Sequence, residues 1–523
     1  MGRNIESAFP SRVIDVLGRD GQSVTLVEKE SISQNTGSYA TLSHCWGKAR
    51  LLTTLKSTFA KYKQGILWGA LPKTFQDAIL IVRALGLRYI SIDSLCIIQD
   101  DDDDWRKQSV LMADVYSNSY LNIAATGSSD SRGGCFGSRT VKYGISKSLD
   151  IAPQLISLET GQQSSENIYV RPSFEEGHHR FITPTREQFN TSKDSVTPLL
   201  TRAWVFQERQ LAPRTVHFHP SEMIMECKAV LRCECTVLDR LSAKINKNSP
   251  DHDLNLLDES EVLGKWFEIV EEYSRLHLTK ESDRLIAVAG VATIFQKRLK
   301  CRYLAGIWQC DIARGLLWSV SRYTFSNSKR SMIRPKKPCA PSWSWASLIL
   351  DQRGTSIVFR STPGDSFSVH EQFRYVDHMG TADPNIIPDL RIDSRIDRIQ
   401  VQGLLTSAKL VHNIRCGPLL RRRTLVLRLG PGAKESSIDI ESQNSTGMIE
   451  TFVPSGTIIF CLLVGTKTVL NPREDTQMIW LCTLVCKAAK FGVETIYKRI
   501  GIFDVWEGAS VFYGATEKII AIV

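Results

Sequence analysis

Apolar and polar residues alternate along the first 125 residues in a pattern that predicts strands separated by helices. The runs Tyr39–His44, Arg88–Asp93 and Tyr120–Ala125 are short and apolar, as buried strands are. Between the first two, Thr74–Leu85 carries apolar residues at helical spacing, and Gly86 follows as a residue that commonly ends a helix. This alternation predicts an α/β domain with a parallel sheet and flanking helices.

Turn residues and charges place the ends of further elements. The step Asp20-Gly21 separates two β-rich runs, Arg12–Leu17 and Ser23–Val27, and predicts a hairpin that precedes the main sheet. The acidic run Asp100–Asp104 leads into the next predicted helix, where the macrodipole favours negative charge. Consecutive aspartates do not converge on one point, so a metal site is the weaker interpretation of this run.

The pattern changes twice after the first 230 residues. Residues 260–320 carry apolar residues at helical spacing, which predicts a helical layer against the first domain. The later runs are short, apolar or alternating, and punctuated by Gly and Pro, which is typical of an antiparallel sandwich or barrel. We therefore expect an α/β domain over residues 1–230, a helical region packing on it over 231–347, and a β-rich C-terminal domain over 348–523.

Composition and charge exclude several classes of protein. With 42% hydrophobic and 23% charged residues over 523 positions, the chain has the composition of a globular protein. Its formal net charge of +10 is scattered along the sequence, so we expect no nucleic-acid partner. The N-terminus lacks an apolar leader, and no stretch approaches the ~18 apolar residues of a membrane span. We expect a cytoplasmic protein without a membrane span.

The number and spacing of the cysteines bear on redox state and metal binding. The chain has 13 cysteines, an odd number without a signal peptide, which favours reduced thiols over a disulfide framework. Cys227, Cys233 and Cys235 lie close in sequence, but no CxxC pair or spaced His pair completes a zinc set. The sequence therefore predicts no metal site.

Candidate chemistry lies where two predicted strands end. The end of the first carries four candidate binding residues: Ser43, His44, Cys45 and Trp46. A Cys/His pair can make an activated thiolate, but neighbouring strand residues point to opposite faces, which favours a core or turn role. Asp93 ends the next strand, and ligands bind at the carboxyl ends of strands in open α/β sheets. The alternative is that Asp93 caps a turn and Cys96 fills the core.

Two helical segments add polar side chains to this set. In the predicted helix that follows the acidic run, Trp105, Gln108, Met112 and Val115 lie on one side. Gln108 is the polar member of this stripe, so it either bonds neighbouring backbone or lines a pocket. The segment Arg202–Arg209 gathers Trp204, Gln207 and Glu208 on roughly one side of a short helix. Such a cluster can bind a polar or phosphorylated ligand, or form a buried Arg/Glu network that joins two domains.

Five blocks in this order resemble the HET (heterokaryon incompatibility) domain of filamentous fungi, over about residues 39–220. The blocks are Tyr39–Gly47, Leu71–Thr74, Ile92–Asp100, Trp105–Tyr116 and Arg202–Phe218. Five later segments look like the region that follows this domain in many standalone members: Trp266–Tyr273, Leu278–Thr279, Asp283–Gly290, Tyr303–Gly306 and Pro341–Ser347. HET domains are associated with programmed cell death after fusion of incompatible hyphae. They are thought to be distantly similar to TIR domains, some of which hydrolyse NAD, so the resemblance implies a TIR-like sheet.

The resemblance also implies a site. In HET members the helix block reads Asp-Trp, two variable residues and then a Glu, which is the counterpart of the TIR catalytic residue. Here Gln108 takes that place, and an amide cannot supply the negative charge that stabilises an oxocarbenium ion. Asp93 and Glu208 are the carboxylates that could replace it. The implied catalytic residues are Asp93, Glu208 and Gln108, and the implied binding residues are Ser43, His44 (Tyr in many members), Cys45, Trp46, Cys96, Trp105, Arg202, Trp204 and Gln207.

Three functions follow as hypotheses. The first is an incompatibility effector that hydrolyses NAD or NADP as its substrate and needs no cofactor. The second is a HET-like enzyme of small-molecule, secondary-metabolite biosynthesis, with the site retained and the substrate changed. The third is a non-catalytic signalling module that self-associates as a homo-oligomer, in which Gln108 records lost catalysis.

Overall fold

The computed structural model describes residues 9–18, 22–32, 38–47, 52–136, 197–239, 254–322 and parts of 332–523. The chain divides into two compact units, Met1–Asp253 and Leu254–Val523. The three-part division with boundaries at residues 230 and 347 stays a prediction. Among the described helices, none has the length and apolar composition needed to span a membrane.

In the described part of the N-terminal unit, nine strands form one mixed sheet in the order β4-β2-β1-β5-β3-β6-β7-β8-β9. They are β1 (Arg12–Asp15), β2 (Ser23–Glu28), β3 (Tyr39–Ser43), β4 (Ile66–Leu67), β5 (Tyr89–Ser91), β6 (Leu121–Ala124), β7 (Arg214–Phe218), β8 (Met223–Cys227) and β9 (Leu231–Cys233). Pairing is parallel from β5 through β3 and β6 to β7. The predicted α/β class is confirmed.

The outer strands make the sheet mixed rather than wholly parallel. The predicted hairpin is present as β1 and β2, and β1 joins the sheet by pairing antiparallel with β5. At the other edge, β7, β8 and β9 also pair antiparallel. Strands joined by short turns can only pair antiparallel, since parallel pairs need a long crossover. The parallel sheet predicted from the sequence is therefore only the centre of a larger one.

Helices flank this sheet within the described residues. They are α1 (Lys56–Tyr62), α2 (Lys73–Ala84), α3 (Asp93–Cys96), α4 (Asp102–Ser117) and α5 (Ala203–Leu211). The apolar face of α2 buries Phe75, Ala78, Ile79 and Val82 in the same core as Ile14 and Ile90 of the sheet. Gly86 follows α2 with a φ of 69°, a conformation that favours glycine, as its predicted role requires. Asp101 caps α4 by accepting the amides of Asp103 and Asp104.

The C-terminal unit opens with helices and short strands. They are α6 (Glu259–Tyr273), α7 (Ala289–Leu299), α8 (Ile312–Leu316), β10 (Tyr303–Leu304), β11 (Ile307–Trp308), β12 (Trp318–Arg322), β13 (Met332–Ile333), β14 (Ile349–Leu350) and β15 (Thr355–Phe359). The carbonyl of Gly306 accepts from Trp266 Nε1 at 3.1 Å and from Trp345 Nε1 at 2.8 Å. Gly306 has a φ of 106°, and a side chain there would collide with the Trp345 indole. Three of the five segments that follow the HET blocks in the sequence therefore meet at this glycine.

The rest of this unit is one large sheet. Its described strands are β16 (Phe367–Val369), β17 (Arg374–Gly380), β18 (Ile396–Cys416), β19 (Arg421–Leu429), β20 (Ser437–Asp439), β21 (Ser445–Ile449), β22 (Ile458–Asn471), β23 (Thr476–Phe491), β24 (Glu494–Trp506) and β25 (Thr516–Ile522). β18 pairs with both β22 and β25, which closes the path β22-β23-β24-β25-β18 on itself. The predicted β-rich C-terminal region is confirmed.

Candidate functional site

A small cleft, partly open to solvent, lies between β1, the end of β5, α3 and α4. It is lined by Pro10, Arg12, Ser91, Asp93, Cys96, Ile97, Gln108, Met112, Val115 and Tyr116. Asp93, Cys96 and Gln108, all predicted from the sequence, thus line one cleft. Its polar groups stand against an apolar wall from α4, a combination that is common in ligand sites.

Asp93 is held in one orientation at the cleft. Its Oδ2 accepts from Trp46 Nε1 at 3.1 Å, and its Oδ1 accepts from the amide of Ser94 at 2.7 Å. The side chain remains 23% exposed, and His44 Nδ1 lies 3.7 Å from Oδ1. Because β3 and β5 run parallel and adjacent, the residues that follow their carboxyl ends meet here. The structure therefore brings together His44, Trp46 and Asp93.

His44 and Cys45 diverge at the end of β3, as strand alternation predicts. His44 is buried edge-to-face against Phe75, with ring centroids 5.0 Å apart, and burial lowers the pKa of His44 even though Asp93 opposes this shift. Cys45 packs in a separate cluster with Ala124, Leu199 and Val205. Burial raises the pKa of the Cys45 thiol, so this group is a neutral core thiol rather than an activated nucleophile.

Cys96 lines the same cleft as Asp93, but it does not act as a charged group. Burial raises the pKa of Cys96 to about 11. A thiol with such a pKa is protonated at neutral pH, and the thiolate is the nucleophilic form. Cys96 therefore shapes the cleft wall in its neutral form.

Glu208 lies in a buried layer next to the cleft rather than in its lining. It is 5% exposed and hydrogen-bonds the Ser43 hydroxyl, which also lies 3.1 Å from Asn122 Oδ1. Tyr116 separates the two regions, since it lines the cleft and also interacts with Glu208. Burial, with the charge of Asp93 adding to it, raises the pKa of Glu208 to about 7. Glu208 is therefore partly protonated at neutral pH.

The remaining predicted site residues lie around this buried layer. The Arg202 guanidinium donates a hydrogen bond to the Cys45 thiol. Its positive charge also acts to lower the pKa of Glu208, against the larger effect of burial. Gln207 is buried on α5, Trp204 is half-buried on the same helix, and Trp105 is half-buried on α4. These four residues are not among those that line the described cleft. A binding role for them stays a prediction.

Arg209 forms an ion pair within the N-terminal unit. Its guanidinium donates to both carboxylate oxygens of Glu226, at 2.6 and 2.9 Å. Glu226 Oε2 also lies 3.1 Å from His217 Nε2. This half-buried network ties α5 to β7 and β8, so an Arg/Glu network is present at Arg209, but it lies inside one unit rather than between two domains.

Arg12 is a cleft residue that the sequence analysis missed. It projects from β1 and donates to both oxygens of Asp104 at 2.6 Å, while Asp104 also accepts the amide of Ile98 at 2.8 Å. Asp104 is the first residue of the Asp-Trp pair in the helix block. Because the pairing joins residues 92 positions apart, no local pattern indicates it. The only signal in the sequence is an arginine that begins a short strand with an apolar centre.

One comparison with known proteins matches the part of the chain that forms most of this site. Residues 39–208 match the family model described as Heterokaryon incompatibility protein (HET). Comparisons with curated proteins and with solved structures gave no match. The matched range begins at β3 and ends at Glu208, so Arg12 on β1 lies before it. Residues 39–208 of the chain are therefore a HET (heterokaryon incompatibility) domain.

Proposed function

We propose that the HET domain is an incompatibility effector that hydrolyses the bond between nicotinamide and ribose in NAD or NADP. The observation that carries this proposal is Asp93, an oriented and partly exposed carboxylate in a cleft that also holds Arg12 and Gln108. A fixed carboxylate stabilises the positive charge that develops on ribose as the glycosidic bond breaks.

The chemistry of this substrate needs one carboxylate rather than two. When the bond between ribose C1′ and the pyridinium nitrogen breaks, the electron pair goes to that nitrogen, and nicotinamide leaves as a neutral molecule. The leaving group needs no proton, so no general acid is required. Water then bonds to C1′ and releases one proton, and the products are nicotinamide, ADP-ribose and H⁺. Asp93 is the single acidic residue among those that line the described cleft, in accord with this requirement.

The other polar residues of the cleft suit the rest of a dinucleotide. The Arg12 guanidinium is 8% exposed and its charge is paired with Asp104, so what it offers a pyrophosphate group is its remaining N–H donors. Gln108 offers an amide donor and acceptor for a ribose hydroxyl or the attacking water. The apolar side chains of Met112 and Val115 provide a surface for a ring.

We assign Glu208 a supporting role in this mechanism. Of the two carboxylates that could replace the family's Glu, it is the one enclosed in protein, behind Tyr116 and bonded to Ser43. A group in that position positions its neighbours and does not touch substrate.

The experiment is the incubation of the purified full chain with NAD and with NADP, followed by chromatographic detection of products. We expect nicotinamide and ADP-ribose, or its 2′-phosphate, to appear in equal amounts and above a heat-denatured control. If neither dinucleotide releases nicotinamide above that control, the proposal is wrong, and the biosynthetic and self-association hypotheses take its place.

A further inference from the structure

We propose that Glu222, Cys233 and Cys235 form a binding site for one zinc ion in the N-terminal unit, after the HET-matched range. Among the described residues, these three bring their ligand atoms within 4.8 Å of one another. The two sulfur atoms lie 3.1 Å apart, and Cys235 Sγ lies 3.5 Å from Glu222 Oε1. The Cys-x-Cys pair alone did not indicate a site, because the third group is eleven residues away in sequence.

The separations fit the coordination sphere of zinc. Zinc binds oxygen and sulfur at about 2.0–2.3 Å in tetrahedral geometry, which sets the ligand atoms about 3.3–3.8 Å apart. The separation between Cys235 Sγ and Glu222 Oε1 already lies in this range, whereas the two sulfurs, which tetrahedral zinc holds about 3.8 Å apart, need to move apart by about 0.7 Å. Three protein ligands leave the fourth position of the tetrahedron to water.

Burial supports a cation at this place. Glu222 is 1% exposed and Cys233 is 8% exposed. The buried carboxylate of Glu222 lies beside two thiols, and the amide of Cys235 donates to it at 2.9 Å. A zinc ion would displace the protons of both thiols, and its two positive charges would offset two of the three negative charges of the ligand set.

The backbone around the two sulfurs suits thiolates. The amide of Leu238 donates to Cys233 Sγ at 3.4 Å, and the amide of Val237 donates to Cys235. Amide hydrogen bonds to sulfur stabilise its negative charge and orient it, as outer-shell partners of a metal do. These two donors come from the turn that follows Cys235, so one short segment supplies both ligands and their support.

The position of the site points to a structural role. Glu222 lies in the turn between β7 and β8, whereas Cys233 ends β9. A bound ion would link these two ends of the antiparallel edge, which continues from the parallel strands that hold the cleft.

The test uses the reduced full chain, stripped of metal and then titrated with Co²⁺ and Zn²⁺. We expect one equivalent of Co²⁺ to bind with thiolate-to-cobalt charge-transfer absorption, and Zn²⁺ to displace it. The variants Cys233→Ser, Cys235→Ser and Glu222→Gln should each weaken binding by about 100-fold or more, since even outer-shell partners contribute about 10- to 100-fold. Glu222→Gln keeps an acceptor for the Cys235 amide and should remain folded.

Cys227→Ser is the matched control. Its thiol lies on β8 in the same antiparallel edge and accepts the amide of Val230, outside the proposed ligand set. This variant should bind cobalt as the unchanged protein does. The proposal is overturned if the reduced protein binds no cobalt through thiolate, if the Cys227→Ser variant loses binding as the Cys233→Ser variant does, or if Glu222→Gln binds with unchanged affinity and spectrum. A Cys233–Cys235 disulfide that persists under reducing conditions would also overturn it.

Discussion

The cleft and the buried layer beside it each contain one acidic residue, and their surroundings give the two residues different chemistry. Asp93 is 23% exposed and is oriented by Trp46 and by the Ser94 amide. Glu208 is enclosed with Ser43 and Tyr116, where its pKa rises to about 7. A residue's place within the family match therefore does not decide its chemical role. Glu208 is the last residue of the match, yet it is cut off from the cleft.

The largest expected effect is on turnover, which should depend on Asp93 but not on an ordinary surface carboxylate. Asp93→Asn keeps the size of the side chain but removes its charge, so we expect the kcat for nicotinamide release to fall about 1000-fold, at the upper end of electrostatic contributions. The matched control is Asp103→Asn, on the nearby helix α4, because that side chain is 89% exposed. Steady-state kinetics checks both variants, and an equal loss in both would contradict the role of Asp93.

The next prediction concerns Glu208 in the buried layer and the pH dependence of the free energy of unfolding. The pKa of Glu208 rises from 4.5 to about 7 on folding, so the folded chain holds this proton more tightly than the unfolded chain. Its contribution to stability is present below the unfolded pKa and is lost as pH rises through the folded pKa, by about 3 kcal/mol in all. Glu208→Gln cannot ionise and should lose none of it.

Denaturant unfolding of both proteins across this pH range measures the difference. We expect Glu208→Gln to match the unchanged protein at low pH and to be more stable by up to about 3 kcal/mol above neutral pH. Stability curves that stay parallel from acid to alkaline pH would show that Glu208 is not an isolated buried acid.

The smallest expected effect is on turnover and concerns Gln108 in the cleft. Gln108→Glu places a second carboxylate beside Asp93, at the position where the HET helix block has Glu. We expect turnover to rise about 10-fold, because negative charge is added where positive charge develops. Gln108→Leu, which adds no charge, is the control in the same assay. A lower rate for Gln108→Glu than for the unchanged protein would mean that the amide itself is required.

Local pattern accounts for the parts of the fold and site that the sequence predicted. The strand β3 and the helix α2 follow from periodicity, and Asp93 follows from its place after β5, since parallel strands present their ends together. Arg12 could not be predicted, because it reaches the cleft by pairing with Asp104 far along the chain. The mixed edges of the sheet depend on similar long-range pairing, for which a single sequence carries little signal.

The most direct measurement is nicotinamide release by Glu208→Gln beside Asp93→Asn, at saturating NAD and near neutral pH. If Asp93 carries the chemistry and Glu208 supports it, Glu208→Gln keeps its rate within about 3-fold while Asp93→Asn loses about 1000-fold. The reverse order, with the large loss in Glu208→Gln and a small one in Asp93→Asn, would contradict the account.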